Sequence, residues 1–455
     1  MAKTKQPVQK QRAFVEVGAT GLRRAGGYVR EEFLPELSGQ QGRRVIREMA
    51  WNDPIVAGVL FAIEMLIRRV SWRVRPASSA RDDQLAAQFV EECRTDMSSS
   101  WADLIAEILS MLPYGWAYHE IVYKRRGGDS RDPKQHSRFD DGLIGWRKVP
   151  IRAQDTLLRW EFDDEGGIQG MYQVAEPDYR IRYLPIAKSL LFRTGTYKNN
   201  PEGVSLLRRA YRPWYFKKRI EEIEAIGIER DLAGMPVAWV PPEVLRGDSD
   251  EMKQALETYK EIVTNLKRDE QEGVVMPAVY DEHGNKLYDL TLLTSGGRRQ
   301  FDTSAVVARY DQRIAMVVLA DFILLGHEKI GTQALSVTKA QLFATALQAW
   351  VDSIAEVFNR HAIPRLLHLN PRFRVRQLPQ LEPGEVEAID MRELAEVIRQ
   401  LTGAGVIVPD DELEEYVRAQ TRLPPRQEGG EPRRPARGGQ GQSSENDEGE
   451  EGEDE

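Results

Sequence analysis

The stretch that decides the fold begins Pro201-Glu202-Gly203-Val204-Ser205-Leu206-Leu207-Arg208-Arg209 and continues Tyr211-Arg212-Pro213-Trp214-Tyr215-Phe216-Lys217-Lys218-Arg219. It closes Gly227-Ile228-Glu229-Arg230-Asp231-Leu232-Ala233-Gly234-Met235-Pro236. Val204 to Leu232 reads as one long helix, with Pro213 and Gly227 as its interior interruptions. Arg208, Arg209, Arg212, Lys217, Lys218 and Arg219 follow one another with no acid between them, and Tyr211, Trp214, Tyr215 and Phe216 interleave with them. That mixture can stack on and neutralise nucleic acid. It fits better an amphipathic helix that buries its aromatics and leaves its bases in water, because charge on one face of a helix is usually solvation. A second long helical pattern spans Phe301 to Leu325, and a compact α/β insert separates the two. Helices of about 25 residues extend roughly 37 Å, enough for a stalk that carries the insert away from a body; an ordinary helical core is the alternative.

Upstream, Gly42 to Val70 reads as helix, with Asn52-Asp53-Pro54 as a cap signal inside it. Ser71 to Arg75 alternates as a strand, Asp82 to Met97 and Ser100 to Leu112 read as helices, and Ala117 to Lys124 alternates again. Leu143 to Pro150, Thr156 to Phe162, Gly170 to Val174 and Ser189 to Arg193 read as short strands between turns, so this half is α+β. Residues before about 40 read as an extended arm. In the insert, Asp250 to Arg268 reads as a charged helix, and strands Gly273 to Val279 and Lys286 to Leu293 flank the turn Asp281-Glu282-His283-Gly284-Asn285. Gly326 to Ser336 is a polar loop containing Gly326, His327, Glu328, Lys329, Gly331 and Gln333, the kind of segment that carries function on a rigid scaffold. A long helix, Val337 to Leu367, follows, then a strand at Phe373 to Leu378 and helices at Glu385 to Gly403 and Asp410 to Gln420. The tail from Leu423, rich in Pro, Gly and Arg and then in acids, is expected to be disordered.

Composition narrows the function. The chain has 455 residues and a net charge of −8. Eight acids and no base lie between residues 445 and 455, so the remainder balances 63 acids against 63 bases. A neutral body does not grip nucleic acid through bulk charge. Cys93 is the single cysteine, which excludes an intrachain disulfide framework and a cysteine-based zinc site. Met1 to Arg12 is polar and basic, so no secretory signal is expected, and the apolar run Pro54 to Ile67 is too short to span a bilayer. Gly326 to Thr332 has the outer spacing of a phosphate loop but lacks the lysine before the threonine. The histidines show neither HExxH nor a paired spacing, and no Gly-x-Ser-x-Gly is present. No catalytic residue, metal site or cofactor site is therefore expected. A nuclease whose carboxylates leave no linear motif, and a capsid scaffold or adaptor that touches only protein, stay open.

The order of these parts resembles tailed-bacteriophage portal proteins, closest to the Mu-like branch. The likeness is carried by Tyr118-His119-Glu120-Ile121-Val122 and by Gly203–Leu207 leading into the Arg/aromatic helix. Glu229-Arg230-Asp231 before Gly234-Met235-Pro236, and Arg309-Tyr310-Asp311-Gln312-Arg313-Ile314 before Leu324-Leu325-Gly326, extend it. Ile363-Pro364-Arg365-Leu366-Leu367 followed by Asn370 completes it, over about Arg43 to Val417.

The resemblance implies an α+β fold: arm 1–40, wing 41–203 and 337–380, stem helices 204–234 and 297–325, clip 235–296, tunnel loop 326–336, crown 381–422 and tail 423–455. It implies a ring of about twelve subunits at one capsid vertex, assembled in the host cytoplasm and resident in the virion. Double-stranded DNA would pass through the hole, packed by a separate terminase large subunit. Head–tail adaptors, capsid and scaffolding proteins would be partners, with no cofactor, no membrane and no enzymatic activity of its own. Gly326, His327, Glu328, Lys329, Gly331 and Gln333 would face the channel, and Asp281, Glu282, His283 and Asn285 would dock motor or adaptor. The stem bases Arg208, Arg209, Arg212, Lys217, Lys218 and Arg219 would hold sliding DNA too tightly if all faced it, so part of the cluster is expected to pair with acids of a neighbouring subunit.

Overall fold

The computed structural model describes residues 18–233, 235–265, 279–280, 282–284, 286–293, 302–317 and 333–386. The arm residues among them form a small hairpin, β1 (Arg24–Ala25) with β2 (Tyr28–Val29), and lead into α1 (Gly39–Asn52). The reading of one helix over Gly42 to Val70 is corrected. α1 stops at Asn52, α2 (Pro54–Arg68) starts after Asp53, and the two meet at 85°. The Asp53 carboxylate accepts from the Ile55 and Val56 amides, each at 3.0 Å, and Pro54 has no amide to continue α1. Among the described residues no single helix is long and apolar enough to cross a membrane.

β3 (Trp72–Arg75), α3 (Arg81–Thr95), α4 (Trp101–Leu109) and the short α5 (Met111–Tyr114) follow. Ile63 and Ile67 of α2, Phe89 and Val90 of α3, and Ile105 and Ile108 of α4 enter one large buried cluster. The expected strand Ala117 to Lys124 divides at Ile121 into β4 (Trp116–Glu120) and β5 (Val122–Arg125). β5 pairs with β6 (Ile144–Lys148), while β4 lies between β7 (Ile151–Arg152) and β11 (Ser189–Arg193). β8 (Leu157–Phe162), β9 (Ile168–Val174) and β10 (Ile181–Pro185) form a separate meander. Trp116 and Tyr118 of β4 meet Trp160 and Met171 of that meander in a second cluster. Every ladder is antiparallel and the helices pack beside small sheets, so the fold class is α+β.

Gly115 and Gly203 join this body to the long helix. Both have positive φ, and a Cβ on Gly203 would lie 2.1 Å from the Gly115 carbonyl oxygen. Only glycine fits such an approach. The helix itself is shorter than Val204 to Leu232: Leu206–Arg208 is a 3₁₀ turn, and α6 runs Tyr211–Ala233 with Pro213 in its first turn. β12 (Met235–Trp239), α7 (Pro242–Arg246), α8 (Asp250–Asn265) and β13 (Asp289–Leu293) form the insert. β12 and β13 pair antiparallel, and Tyr259 stacks on Tyr288 at 5.5 Å. α9 (Thr303–Val317) returns antiparallel to α6. The strand expected at Gly273 to Val279 lies outside the described residues except for its last residue, as does the end of the helix expected to Leu325.

α10 (Gln333–Val357), a π-helical turn (Phe358–Ala362) and α11 (Ile363–His368) replace the single helix expected from Val337. Three side-chain amides from this region hold neighbouring backbone. Asn359 accepts from Leu381 N at 2.7 Å and donates to Leu381 O at 3.0 Å. Asn370 does the same with Ile144, at 2.8 and 2.9 Å. Gln348 accepts from Val386 N at 2.9 Å. The strand expected at Phe373 to Leu378 is corrected to β14 (Gln380–Pro383), which pairs with β3. Phe373 and Val375 do turn inward and Arg372, Arg374 and Arg376 outward, but among the described residues no strand pairs with them. The helices expected at Glu385 to Gly403 and Asp410 to Gln420, and the tail, lie outside the described residues.

Candidate functional site on the helix pair

α6 leaves the body with its first turns buried. Trp214 packs with Ile46, Met49 and Val56 of the α1–α2 elbow and with Ile314 of α9. One turn on is Lys217, only 3 % exposed, which corrects its place among bases left in water. Its Nζ lies 3.0 Å from Asp53 Oδ2, 2.6 Å from Asp311 Oδ1 and 3.9 Å from Glu221 Oε1. Burial opposes its charge, but hydrogen bonding to Asp311 and Asp53 outweighs that and raises the ammonium above its ordinary range. Asp53 also caps α2. One node thus ties the elbow, α6 and α9 together.

The other bases divide. Arg208 donates to Glu32 at 2.5 and 2.9 Å and lies over Phe33. Lys218 pairs with Glu48, and Arg219 with Glu222 at 3.2 Å. The pairing expected from a neighbouring subunit is therefore supplied for Arg208, Lys217, Lys218 and Arg219 by acids of the same chain. Arg209 and Arg212 are exposed and have no ion pair among the described residues.

The opposite face of α6 has another character. Tyr215, Phe216, Ile223 and Ile226 are all exposed, Ile223 at 68 %. At 100° per residue Tyr215, Arg219, Ile223 and Ile226 share one face, with Arg212 on the same side. Where this face borders α9, Arg212, Pro213, Phe216, Tyr310 and Arg313 line an open notch. Phe216 stacks on Tyr310 with ring centres 6.5 Å apart, and Arg309 and Arg313 each lie within 6 Å of the Tyr310 ring. The sequence reading missed Asp53, Asp311, Arg309 and Arg313 as functional side chains. The run Arg309-Tyr310-Asp311-Gln312-Arg313 carried the signal, since a base–aromatic–acid run on the returning helix must meet the bases of the first.

Of the loop residues, Gly326, His327, Glu328, Lys329 and Gly331 lie outside the described residues. Gln333 opens α10, so the loop expected to end at Ser336 ends earlier. In the insert, Glu282 and His283 occupy an exposed turn closed by the Tyr280–Lys286 bridge, while Asp281 and Asn285 lie outside the described residues. Tyr118-His119-Glu120-Ile121-Val122 is structural. Tyr118 Oη donates to Leu184 O at 2.8 Å, and Glu120 pairs with Arg152 and Lys188. His119 is fully buried, its Nδ1 2.8 Å from Val149 O, and burial lowers its imidazole to about 4. Burial raises the Cys93 thiol to about 12, so neither group is poised for chemistry near neutrality. Among the described residues no cluster of His, Cys, Asp and Glu is arranged to hold a metal ion.

Residues 43–419 match the family model described as the portal protein of Mu bacteriophage. The chain is also similar to a solved chain from the virion of the native gene transfer agent particle, with 11 % identity and a TM-score of 0.48. That match covers 84 % of this chain and 94 % of the other. A chain from the neck of the native gene transfer agent particle computed with C12 symmetry is similar at 12 % identity and a TM-score of 0.48, over 84 % and 94 %.

Proposed function

The chain belongs to the portal protein family of Mu bacteriophage, and from that premise we propose that it is the subunit of a closed ring of about twelve copies at one capsid vertex. The observation that carries this reading is the family match itself, which spans the body, both helices and the insert together. The exposed stripe Tyr215, Ile223 and Ile226 supports it. A ring subunit needs heterologous contacts that close by rotation, and apolar side chains on an otherwise charged helix are what such a contact covers. In this reading 41–203 and 337–380 are the wing, α6 and α9 the stem, 235–296 the clip, 326–336 the tunnel loop and 381–422 the crown.

The ring is a conduit for double-stranded DNA during packaging and ejection. The clip, with Glu282 and His283 at its turn, docks a terminase large subunit or a head–tail adaptor, and the wing meets capsid and scaffolding proteins. The protein acts as a structural channel without catalysis of its own. The ion-paired stem bases suit this role, because charge already neutralised within the chain does not hold a sliding polyanion. Electron-microscopy class averages with native mass of the purified chain test it. The expected result is a closed ring with an axial hole of roughly 20 Å or more, wide enough for a duplex with B-form grooves. A chain that stays monomeric at micromolar concentration and in the presence of scaffolding protein would overturn it.

A further inference from the structure

The connection between β5 and β6, residues 126–143, is long for a link between two antiparallel strands, where about two to five residues are usual. Buried charge tethers it twice. Arg126, 1 % exposed, lies 2.6 Å from Glu92 and 2.8 Å from Asp141, with its guanidinium over the Phe139 ring at 4.0 Å. Lys124 Nζ donates to Asp96 O at 2.6 Å and His136 O at 2.7 Å and pairs with the Asp96 carboxylate at 2.9 Å. That carboxylate also accepts from Ser137 Oγ at 2.6 Å and Arg138 N at 2.9 Å. Burying such ions costs several kcal/mol each before pairing.

What the tethers produce is a fixed cleft of about 250 Å³ between the Thr95–Ser98 turn, the 3₁₀ turn Pro133–Gln135 and Arg147 on β6. Lys134, His136, Arg138 and Arg147 line it. Asp96 is its one carboxylate among the described residues, and Lys124 already occupies it. Arg138 donates to Thr95 O and has its Nε 3.7 Å from Asp96. Asp132 accepts from Lys134 N at 2.9 Å and Asp129 lies 3.2 Å from His136 Nδ1, but no described carboxylate is within ion-pair distance of the Lys134 ammonium or the Arg147 guanidinium. No Phe, Tyr or Trp lines the cleft.

The geometry points to a phosphate-binding cleft, in which Lys134, Arg138 and Arg147 hold a phosphate group, free or in a nucleic-acid backbone. Guanidinium forks match phosphate oxygens. Met97 and Pro133 are the apolar lining, too little to seat the side chains of a polypeptide. The inference stands on the body alone and does not require the ring.

Lysine acetylation of the full chain, read by mass spectrometry, tests it with three probes: inorganic phosphate, a short DNA duplex and oligoglutamate. Phosphate or duplex should slow acetylation of Lys134 and leave the remote, exposed Lys260 unchanged, and Arg147→Ala should remove that protection. Protection by phosphate alone assigns the site to a free phosphate; protection by both assigns it to nucleic-acid backbone. Lys134→Ala is a second variant at an exposed position, and its calorimetric affinity for phosphate should fall about tenfold. Lys134 reactivity unchanged by both phosphate-bearing probes would overturn the inference. So would protection by oligoglutamate alone, which would make the cleft a dock for acidic protein.

Discussion

The two ends of α6 follow opposite rules. At its start Trp214 is buried and Lys217 sits among three carboxylates, so the groups that face the body have their partners within the chain. From Ile223 onward apolar side chains stand in solvent on a face that no described element covers. The body's main cluster, by contrast, draws on α2, α3, α4, α10 and β14 and closes on itself. One helix therefore carries a half that fixes it to the body and a half whose apolar face stays exposed among the described residues, the face that the proposed ring contact would cover. Self-sufficiency ends inside an element, at about Glu221, and not at a domain border.

The sharpest way to break this contrast is to charge the exposed half. Ile223→Glu with Ile226→Glu should abolish ring formation outright, read by native mass. The thermal midpoint of the separated subunit should hardly move, because exposed positions contribute within about 0.5 kcal/mol. A double variant that still forms rings would show that the contact lies elsewhere. A variant that unfolds would show that the face is internal.

The half fixed to the body responds in the reverse sense. Lys217→Met removes the cation between Asp53 and Asp311 and leaves two carboxylates facing each other in a mostly buried site. The expected destabilisation is about 3–5 kcal/mol, measured by denaturant unfolding of the subunit. Because Asp53 also caps α2, hydrogen exchange should rise at the start of α2 as well as in α6. A loss confined to α6 would mean that the node does not couple elbow and stem.

Acid probes the body through a buried histidine. The His119 imidazole is lowered by burial to about 4 from an ordinary 6.5. A depressed pKa gives stability that is complete above the unfolded value and is lost as pH falls through the folded one. The loss runs from about pH 6.5 to 4 and reaches about 3 kcal/mol. His361, lowered chiefly by burial, adds in the same direction. Asp96 and Glu120 are held low because their hydrogen bonds outweigh burial, and they give way only below the ordinary carboxylate range. His119→Gln should flatten the unfolding profile between pH 6.5 and 4 and leave the steeper acid limb intact. An unchanged slope would remove His119 from the account.

This division also explains what could be read in the sequence. Helix and strand periodicity report local burial, so the elements of the body were legible, and Asn52-Asp53-Pro54 was visible as a cap signal. The 85° elbow was not, because a cap inside an apolar run is compatible with either a kink or a continuous helix. Phe373 to Val375 alternated as a strand does, yet a strand is defined by its partner, and β3 pairs with Gln380–Pro383. Lys217 was misplaced for the same reason. Its acids lie 164 positions upstream, in Asp53, and on the returning helix, in Asp311. Runs of like charge describe composition along the chain, whereas a buried ion pair is a fact about contact. The Arg/aromatic motif identified the right helix without separating the bases that hold it to the body from those left over.

Arg209 and Arg212 are the ones left over, and they give the smallest effect on the subunit. Arg209→Ala with Arg212→Ala removes no ion pair among the described residues and should shift subunit stability by less than about 0.5 kcal/mol. Its consequence should appear only in the assembled particle. If these side chains reach passing DNA, the logarithmic salt dependence of DNA binding by the ring should lose nearly one unit per phosphate contact removed. If they sit against a neighbouring subunit, that slope should stay fixed while the ring dissociates at lower salt. Paired bases such as Lys218 should change neither quantity, because Glu48 already neutralises that charge within the chain. A salt slope that falls equally for Lys218→Ala and Arg212→Ala would show that in-chain pairing does not decide which stem bases meet the polyanion.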